Sequence, residues 1–196
     1  MFSAADYAFM SHALRLAERG LYSTTPNPRV GCVVVLDGRI AGSGWREKAG
    51  QPHAEINALT ASGAAARGAT AYVTLEPCSH HSRTPPCADA LIAAGIARVV
   101  MAMEDPNPLV SGRGRALLQQ AGVIVQMGLL QAEAQALNAG FVSRMTQKKP
   151  WVRLKTAASL DGKTALNNGV SQWITGEAAR RDGHRWRARS CAIMTG

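Results

Sequence analysis

A chain of 196 residues has room for one large domain, or for one well-buried domain and something extra, but not for two complete ones. A hydrophobic content of 46% describes a soluble globular protein, and no apolar run approaches the roughly 20 residues of a membrane span, so a helical membrane protein is excluded. The formal charge of +9 is uneven: residues 1–146 hold 12 Lys and Arg against 10 Asp and Glu, and residues 147–196 hold 10 against 3. The basicity therefore belongs to the tail, which argues against a broadly basic nucleic-acid groove in the main domain.

The opening stretch, MFSAADYAFMSHALRLAERG, carries Asp6 and Glu18 among spaced apolar residues. That pattern suits an amphipathic helix better than the unbroken apolar core of a signal peptide, and makes a cytoplasmic protein the expectation. Pro26-Asn27-Pro28 breaks the chain, after which VGCVVVL (30–36), Asp37-Gly38 and RIAGSGW (39–45) predict two strands joined by a two-residue hairpin turn. Cys32, inside the first apolar strand, is expected to be a small core residue. Pro52 precedes HAEINALTASG, in which Ile56 and Leu59 recur at helical spacing. A strand over 70–76, a loop, a helix over 88–94, a strand over 97–103, the loop EDPNPLVSGRGR, a helix over RALLQQAG, a strand over 123–127 and a helix over 131–145 follow. Strands separated by helical crossovers imply a largely parallel sheet covered by helices, with an antiparallel hairpin at its start. The polar stretch Thr146-Gln147-Lys148-Lys149-Pro150 predicts a linker, placing a domain over 1–146, the linker over 147–150 and a second unit over 151–196. In that second unit WVRLKTAASLDGK predicts a strand, and EAARRDGHRWRARSCAIM a basic helix running into another.

The chemistry concentrates in His53-Ala54-Glu55 and in EPCSHHSRTPPC, residues 76–87. A zinc ion that serves hydrolysis needs three protein ligands and one open position for water. His53, Cys78 and Cys87 supply the three, since thiols stay reduced in the cytoplasm. If His53 opens its helix, Glu55 lies in the same first turn and remains free to move protons. Zinc lowers the pKa of bound water to about 7, and an H-x-E triplet followed by Pro-Cys is the signature of zinc nucleobase deaminases, whose glutamate is the general acid/base. The competing account is a buried histidine, a helix-cap glutamate and two unrelated thiols; chance supplies H-x-E easily, but seldom at a helix start followed by a strand running into Pro-Cys. A structural zinc site would want a fourth protein ligand, for which His80 or His81 is available, and would leave Glu55 without a task. The cysteines are eight residues apart instead of two, and the insert offers His80, His81 and Arg83 to a phosphate or ribose.

With TPNPRVGCVVV, PHAE, YVTLEPCSHHSRTPPCADALI, DPNPLVSGRG, LKTAASLDGKTA and SQWIT, the chain resembles the riboflavin-biosynthesis deaminase–reductase family from about residue 5 to its last residue. The resemblance implies a cytidine-deaminase-like three-layer α/β/α sandwich with a mixed sheet, followed by the incomplete start of a dihydrofolate-reductase-like domain. It implies hydrolytic removal of the C2 amino group of 2,5-diamino-6-(5-phosphoribosylamino)pyrimidin-4-one, a phosphorylated small-molecule substrate, with Zn2+ as cofactor. It assigns Asn27, His80, Arg83, Asp105 and Asn107 to the substrate, Arg83 toward the phosphate; ordinary turn chemistry beside proline is the competing account of Asn27, Asp105 and Asn107. Arg46 departs from the family, many of whose members have a histidine seven residues before the His of HAE; a cation is retained there. For the second unit the resemblance implies an NADPH-dependent reductase, matching Ala157 and Trp173 to the cofactor and Ser171 and Arg187 to the substrate. Residues 151–196 are only 46, against ~100–150 for a typical domain, so no reductase activity is expected of this chain, and Trp173 and Trp186 are expected on an unfinished core.

Two other functions use the same residues. A tRNA adenosine or cytidine deaminase would share the zinc and glutamate but have Pro-Cys-x-x-Cys, which is absent. A non-catalytic zinc module binding nucleic acid through the basic tail would tolerate replacement of Glu55 and weaken steeply with salt. The expectation is an enzyme without nucleic-acid or membrane partners; a homo-oligomer is left open.

Overall fold

The structure, a computed structural model, describes residues 1–79, 86–108 and 110–194. The described residues divide into two units, Met1–Pro150 and Trp151–Gly196.

The first unit is built on a five-stranded mixed sheet. Helix α1 (Ala4–Glu18) leads into β1 (Gly31–Leu36) and β2 (Arg39–Trp45), then α2 (Ala54–Ser62), β3 (Thr70–Val73), α3 (Cys87–Ala93), β4 (Arg98–Met101), α4 (Arg113–Gln120), β5 (Ile124–Met127), α5 (Gln131–Leu137) and α6 (Ala139–Gln147). The strand order is β2-β1-β3-β4-β5. β1 pairs antiparallel with both β2 and β3, whereas β3, β4 and β5 are parallel and joined by the crossover helices α3 and α4. The predicted hairpin forms, with Asp37 at φ 49° and Gly38 at φ 74° giving the left-handed turn that two-residue hairpins require.

Alternation along β1 and β2 sets the layers. A Cβ on Gly31 would lie 2.0 Å from the carbonyl oxygen of Ala13 in α1, so that residue faces α1. Cys32 pairs with Gly44, and a Cβ on Gly44 would lie 2.5 Å from the Ala54 carbonyl oxygen of α2, so α1 and α2 cover opposite faces. Gly42 repeats the close approach one step along the strand, with the Ala58 carbonyl oxygen 2.3 Å from its hypothetical Cβ. Val33, Val34, Val73, Val99, Val100 and Met101 fill the sheet from β1 to β4, fully buried. Cys32 is part of this core, as its apolar strand predicts.

α1 is tied to the sheet by a buried polar cluster. Ser3 and Asp6 form a capping box at its start. Asp6 Oδ1 also accepts from the Tyr72 hydroxyl of β3 (2.7 Å) and from Arg98 of β4 (2.9 Å). Burial alone would raise the Asp6 pKa, but the bonds from Arg98, Ser3 and Tyr72 outweigh it and hold the carboxyl well below the usual carboxylate range.

Two expectations are corrected. The single helix predicted over 131–145 is two, broken at Asn138, which has φ −112° and is fully buried. Its side-chain amide accepts from Arg29 N (2.8 Å) and donates to Arg29 O (3.0 Å), a pairing that helical continuation would not supply with a partner. In the second unit a basic helix, α7 (Glu177–Ala188), forms as predicted, but the described residues of 151–194 contain no strand on either side of it. Strand backbone needs a hydrogen-bonded neighbour, and among the described residues of this unit no strand pair forms; the local bonds are turns such as Ser159 N to Lys163 O (2.9 Å) and Leu166 N to Val170 O (2.9 Å).

Replacing Asp6 with Asn leaves the Arg98 guanidinium without its anion and is expected to cost roughly 2–4 kcal/mol near neutral pH. Because the folded pKa is depressed, that contribution is fully present above the unfolded value near 3.9 and declines as pH falls below it. Urea unfolding of parent and Asp6→Asn should therefore differ most above about pH 5, with the difference shrinking progressively as the pH falls from about 4 toward the depressed folded value.

Candidate active site

The site lies beyond the C-terminal ends of the parallel strands β3 and β4, where the chain turns into helices. His53 is the N-cap of α2, in extended backbone with φ −71° and ψ 161°, and Glu55 stands two residues on in the first turn. Asn57 anchors that turn by donating to the Trp45 carbonyl at the end of β2 (3.0 Å). Cys78 follows β3, and Cys87 opens α3.

These elements bring three ligand atoms together. The donor atoms of His53, Cys78 and Cys87 all lie within 4.8 Å of one another. His53 Nδ1 stands 3.2 Å from Cys87 Sγ and 3.6 Å from Cys78 Sγ, and the Cys87 amide donates to Cys78 Sγ at 3.3 Å. Tetrahedral zinc with Zn–S near 2.3 Å and Zn–N near 2.0 Å sets nitrogen and sulfur about 3.5 Å apart, so the donors fit that ion. All four cysteines are free thiols.

Electrostatics favour a cation here. The Cys87 thiol, His53 and the Cys87 amide together hold Cys78 down to about 4 against the opposing effect of burial, making it the thiolate of the pair. Cys87 is pushed up by its bond to that thiolate and by burial. His53 is raised, chiefly by its bond to Cys78, and Glu55, only 3% exposed, is raised by burial. A carboxyl that gains a proton easily beside a cation-binding cluster is suited to shuttling protons.

Above the cluster opens a cavity of about 330 Å³. It is lined by His53, Glu55 and Cys78 and, from separate parts of the chain, by Asn27, Asp105 and Asn107. The Asn107 amide donates to Asp105 Oδ1 at 2.8 Å, which shapes that loop as an Asx turn. The segment carrying Asn27 is clamped from behind by Asn138 on the Arg29 backbone and by Arg144, whose Nη2 donates to the Pro26 carbonyl (3.1 Å). Arg46 also lines the cavity, with its Nε buried and without a hydrogen-bond partner among the described atoms. His80 and Arg83 lie outside the described residues.

Several lining residues are given no role by the sequence: Glu76 and Val110, although they lie inside the quoted stretches EPCSHHSRTPPC and DPNPLVSGRG, and Phe141, Arg144 and Met145, which lie in none. Helical spacing places Phe141 on one face with Arg144 and Met145, but nothing in the spacing says that the face meets the cavity. The remaining predicted residues belong to the second unit. Ala157 is half-buried in a segment without regular structure, Ser171 is exposed, and Arg187 is exposed on α7, 3.4 Å from His184 Nδ1. Trp173 is 70% exposed beneath the Arg180 guanidinium, and the Trp186 ring meets the guanidinium carbons of Arg153 and Arg189 at 3.8 and 4.5 Å from its centroid.

No helix among the described residues is long and apolar enough to cross a membrane. Comparison with known proteins agrees with the site. The family model of the cytidine and deoxycytidylate deaminase zinc-binding region matches residues 3–103, and that of the RibD C-terminal domain matches residues 150–196. The riboflavin biosynthesis protein RibD of Escherichia coli is 60% identical over 97% of this chain and 52% of its own length. Among solved structures, form 1 of Acinetobacter baumannii RibD superposes with a TM-score of 0.91 at 55% identity, covering 95% of this chain and 52% of that one. The Thermotoga maritima diaminohydroxyphosphoribosylaminopyrimidine deaminase/5-amino-6-(5-phosphoribosylamino)uracil reductase does so with a TM-score of 0.88 at 45% identity, covering 93% and 53%. The chain thus spans about half the length of the curated relatives it matches. With a deaminase zinc-binding model over half of its residues and a His-Cys-Cys cluster assembled within them, the chain belongs to the cytidine and deoxycytidylate deaminase zinc-binding family and is RibD-like over nearly its whole length.

Proposed function

We propose that the first unit is a zinc-dependent deaminase that converts 2,5-diamino-6-(5-phosphoribosylamino)pyrimidin-4-one to 5-amino-6-(5-phosphoribosylamino)uracil and ammonia, a step of riboflavin biosynthesis. The observation that carries the reading is the pairing of a three-donor cluster, His53, Cys78 and Cys87, with a buried glutamate on the same helical turn at the floor of a cavity. Three protein donors leave a coordination position for water, and Glu55 stands outside the donor set.

In this reading His53, Cys78 and Cys87 hold the zinc, which when bound lowers the pKa of water to about 7 and so supplies a nucleophile at neutral pH. Glu55 takes a proton from the attacking water as the C2–O bond forms and passes it to the adjacent ring nitrogen. It then carries the second proton of that water to the C2 amine; the C–N bond breaks, ammonia leaves and the C2 carbonyl remains. Its buried setting favours the protonated form that each delivery needs. Asn27, Asp105 and Asn107, whose side chains supply donors and acceptors to the cavity lining, orient the pyrimidine and ribose. Arg46, half-buried with its Nε buried and unpaired, is assigned to the phosphate together with Arg83, and His80 to the substrate, the last two by the family resemblance.

The domain division follows the same reading: a deaminase over 1–146, a linker over 147–150 and the start of a reductase domain over 151–196. For the last, Ala157 and Trp173 are assigned to NADPH and Ser171 and Arg187 to the reductase substrate, supported by the match to the RibD C-terminal domain. A cytoplasmic setting, which keeps Cys78 and Cys87 reduced, belongs to the proposal.

Ammonia release from the ribotide by the zinc-loaded chain tests it. Glu55→Gln is expected to retain one zinc per chain, by elemental analysis, while turnover falls by about 10²–10⁴-fold. Cys87→Ser is expected to lose zinc and activity together; zinc loss from Glu55→Gln, or turnover by it at the parental rate, would remove the assigned role. Arg46→Ala is expected to raise KM for the ribotide by about tenfold or more and to leave KM for the dephosphorylated riboside unchanged. Equal effects on both compounds would place Arg46 away from the phosphate.

A further inference from the structure

Glu76 is a buried carboxylate, 3% exposed, two residues before Cys78 and on a different element from Glu55. Both its oxygens are occupied by backbone donors. Oε2 accepts from the amides of Asp105 (3.2 Å) and Gly112 (3.0 Å), and Oε1 from the amide of Arg115 (3.1 Å). Gly112 and Arg115 belong to the start of α4, where a helix leaves amides without intrahelical partners and favours a negative charge. A carboxylate whose two oxygens both accept from backbone amides in this way is placed to hold backbone.

The geometry around it is equally specific. The Glu76 amide donates to the Met103 carbonyl (3.0 Å), which ties the end of β3 to the end of β4 just before the 104–108 loop. A Cβ on Gly114 would lie only 2.0 Å from the Pro77 carbonyl oxygen, so α4 sits directly on the backbone between Glu76 and Cys78. Gly112, at φ +76°, takes the left-handed turn that aims its amide at the carboxylate. One short segment, Glu76-Pro77-Cys78, therefore carries a donor of the His-Cys-Cys cluster at one end and, at the other, the anchor of the loop bearing Asp105 and Asn107.

We infer that Glu76 is a positioning residue for the substrate, holding the Asp105–Asn107 loop in register with the metal cluster through its three backbone hydrogen bonds. The inference rests on the deaminase reading above. It accounts for a charged group on the cavity wall that the reaction itself does not use. Glu76→Gln keeps the shape but turns an N–H donor toward backbone donors, so at least one of the three bonds is replaced by repulsion.

The test is made on the zinc-loaded full chain. Glu76→Gln is expected to keep one zinc per chain, to raise KM for the diaminopyrimidine ribotide by about tenfold with kcat within about threefold, and to expose the amides of Asp105, Gly112 and Arg115 to about tenfold faster hydrogen exchange while those of β3 and β4 are unchanged. A variant that merely loses thermal stability, with KM and those amides unaltered, overturns the inference. Should Glu76→Gln lose its zinc or fail to fold, Glu76→Asp decides: the shorter carboxylate raises KM with zinc retained if positioning is the role, and an unchanged KM overturns it. If the parent releases no ammonia, the deaminase reading fails, and hydrogen exchange alone still reports whether Glu76 holds the loop.

Discussion

The site depends on how closely α2 lies on β2. Two glycines on that strand, Gly42 and Gly44, remove the side chains that would otherwise keep the helix off, and backbone meets backbone instead. A side chain at either position would displace α2 outward and with it His53 and Glu55, which stand at the helix's first turn. Metal donors tolerate little such displacement, because zinc–ligand distances are defined to a few tenths of an ångström. Close packing of the scaffold is therefore a chemical requirement here as well as a source of stability. The Asn57 bond to the Trp45 carbonyl fixes the same helix along its axis.

The carboxylates of the first unit illustrate how environment divides one functional group among several tasks. Asp6 is surrounded by donors, and its charge is locked in place as the tie between α1 and the sheet. Glu76 is surrounded by amides and serves as a fastening for backbone. Glu55 is buried beside His53 and the two thiols, and its affinity for a proton is raised. Burial is common to all three; what differs is the number and kind of donors each one meets.

The second unit has a different physical character. Trp151, Val152, Leu154, Leu160, Leu166 and Trp173 are exposed, while the Trp186 ring contacts two guanidinium groups, those of Arg153 and Arg189. Three of the tail's ten Lys and Arg side chains, Arg153, Arg180 and Arg189, thus lie over aromatic faces within the same unit, where each contact contributes about 0.5–1 kcal/mol at an exposed site. That use of arginine is compatible with a globular reading of the basic tail and does not require a nucleic acid to explain it. The Arg181–Glu177 pair on α7 is exposed on both sides and contributes little.

The alternation of helices and strands, the hairpin at Asp37-Gly38, and the pattern of His53, Glu55, Cys78 and Cys87 were legible in the sequence because each is written locally, in turn residues, periodicity and ligand spacing. The break at Asn138 was not, since it arises from a pairing with Arg29 more than a hundred residues away. Nor could spacing tell that Phe141, Arg144 and Met145 face the same cavity as the cluster, or that Glu76 reaches the start of α4. The sequence by itself determined which chemical groups the protein possesses and on which kinds of element they sit. Only the tertiary structure decided which of them share a cavity and that Glu55 lies beside the metal-binding thiols while Glu76 is bonded to backbone amides, because those facts depend on contacts between segments whose separation along the chain carries no periodic signal.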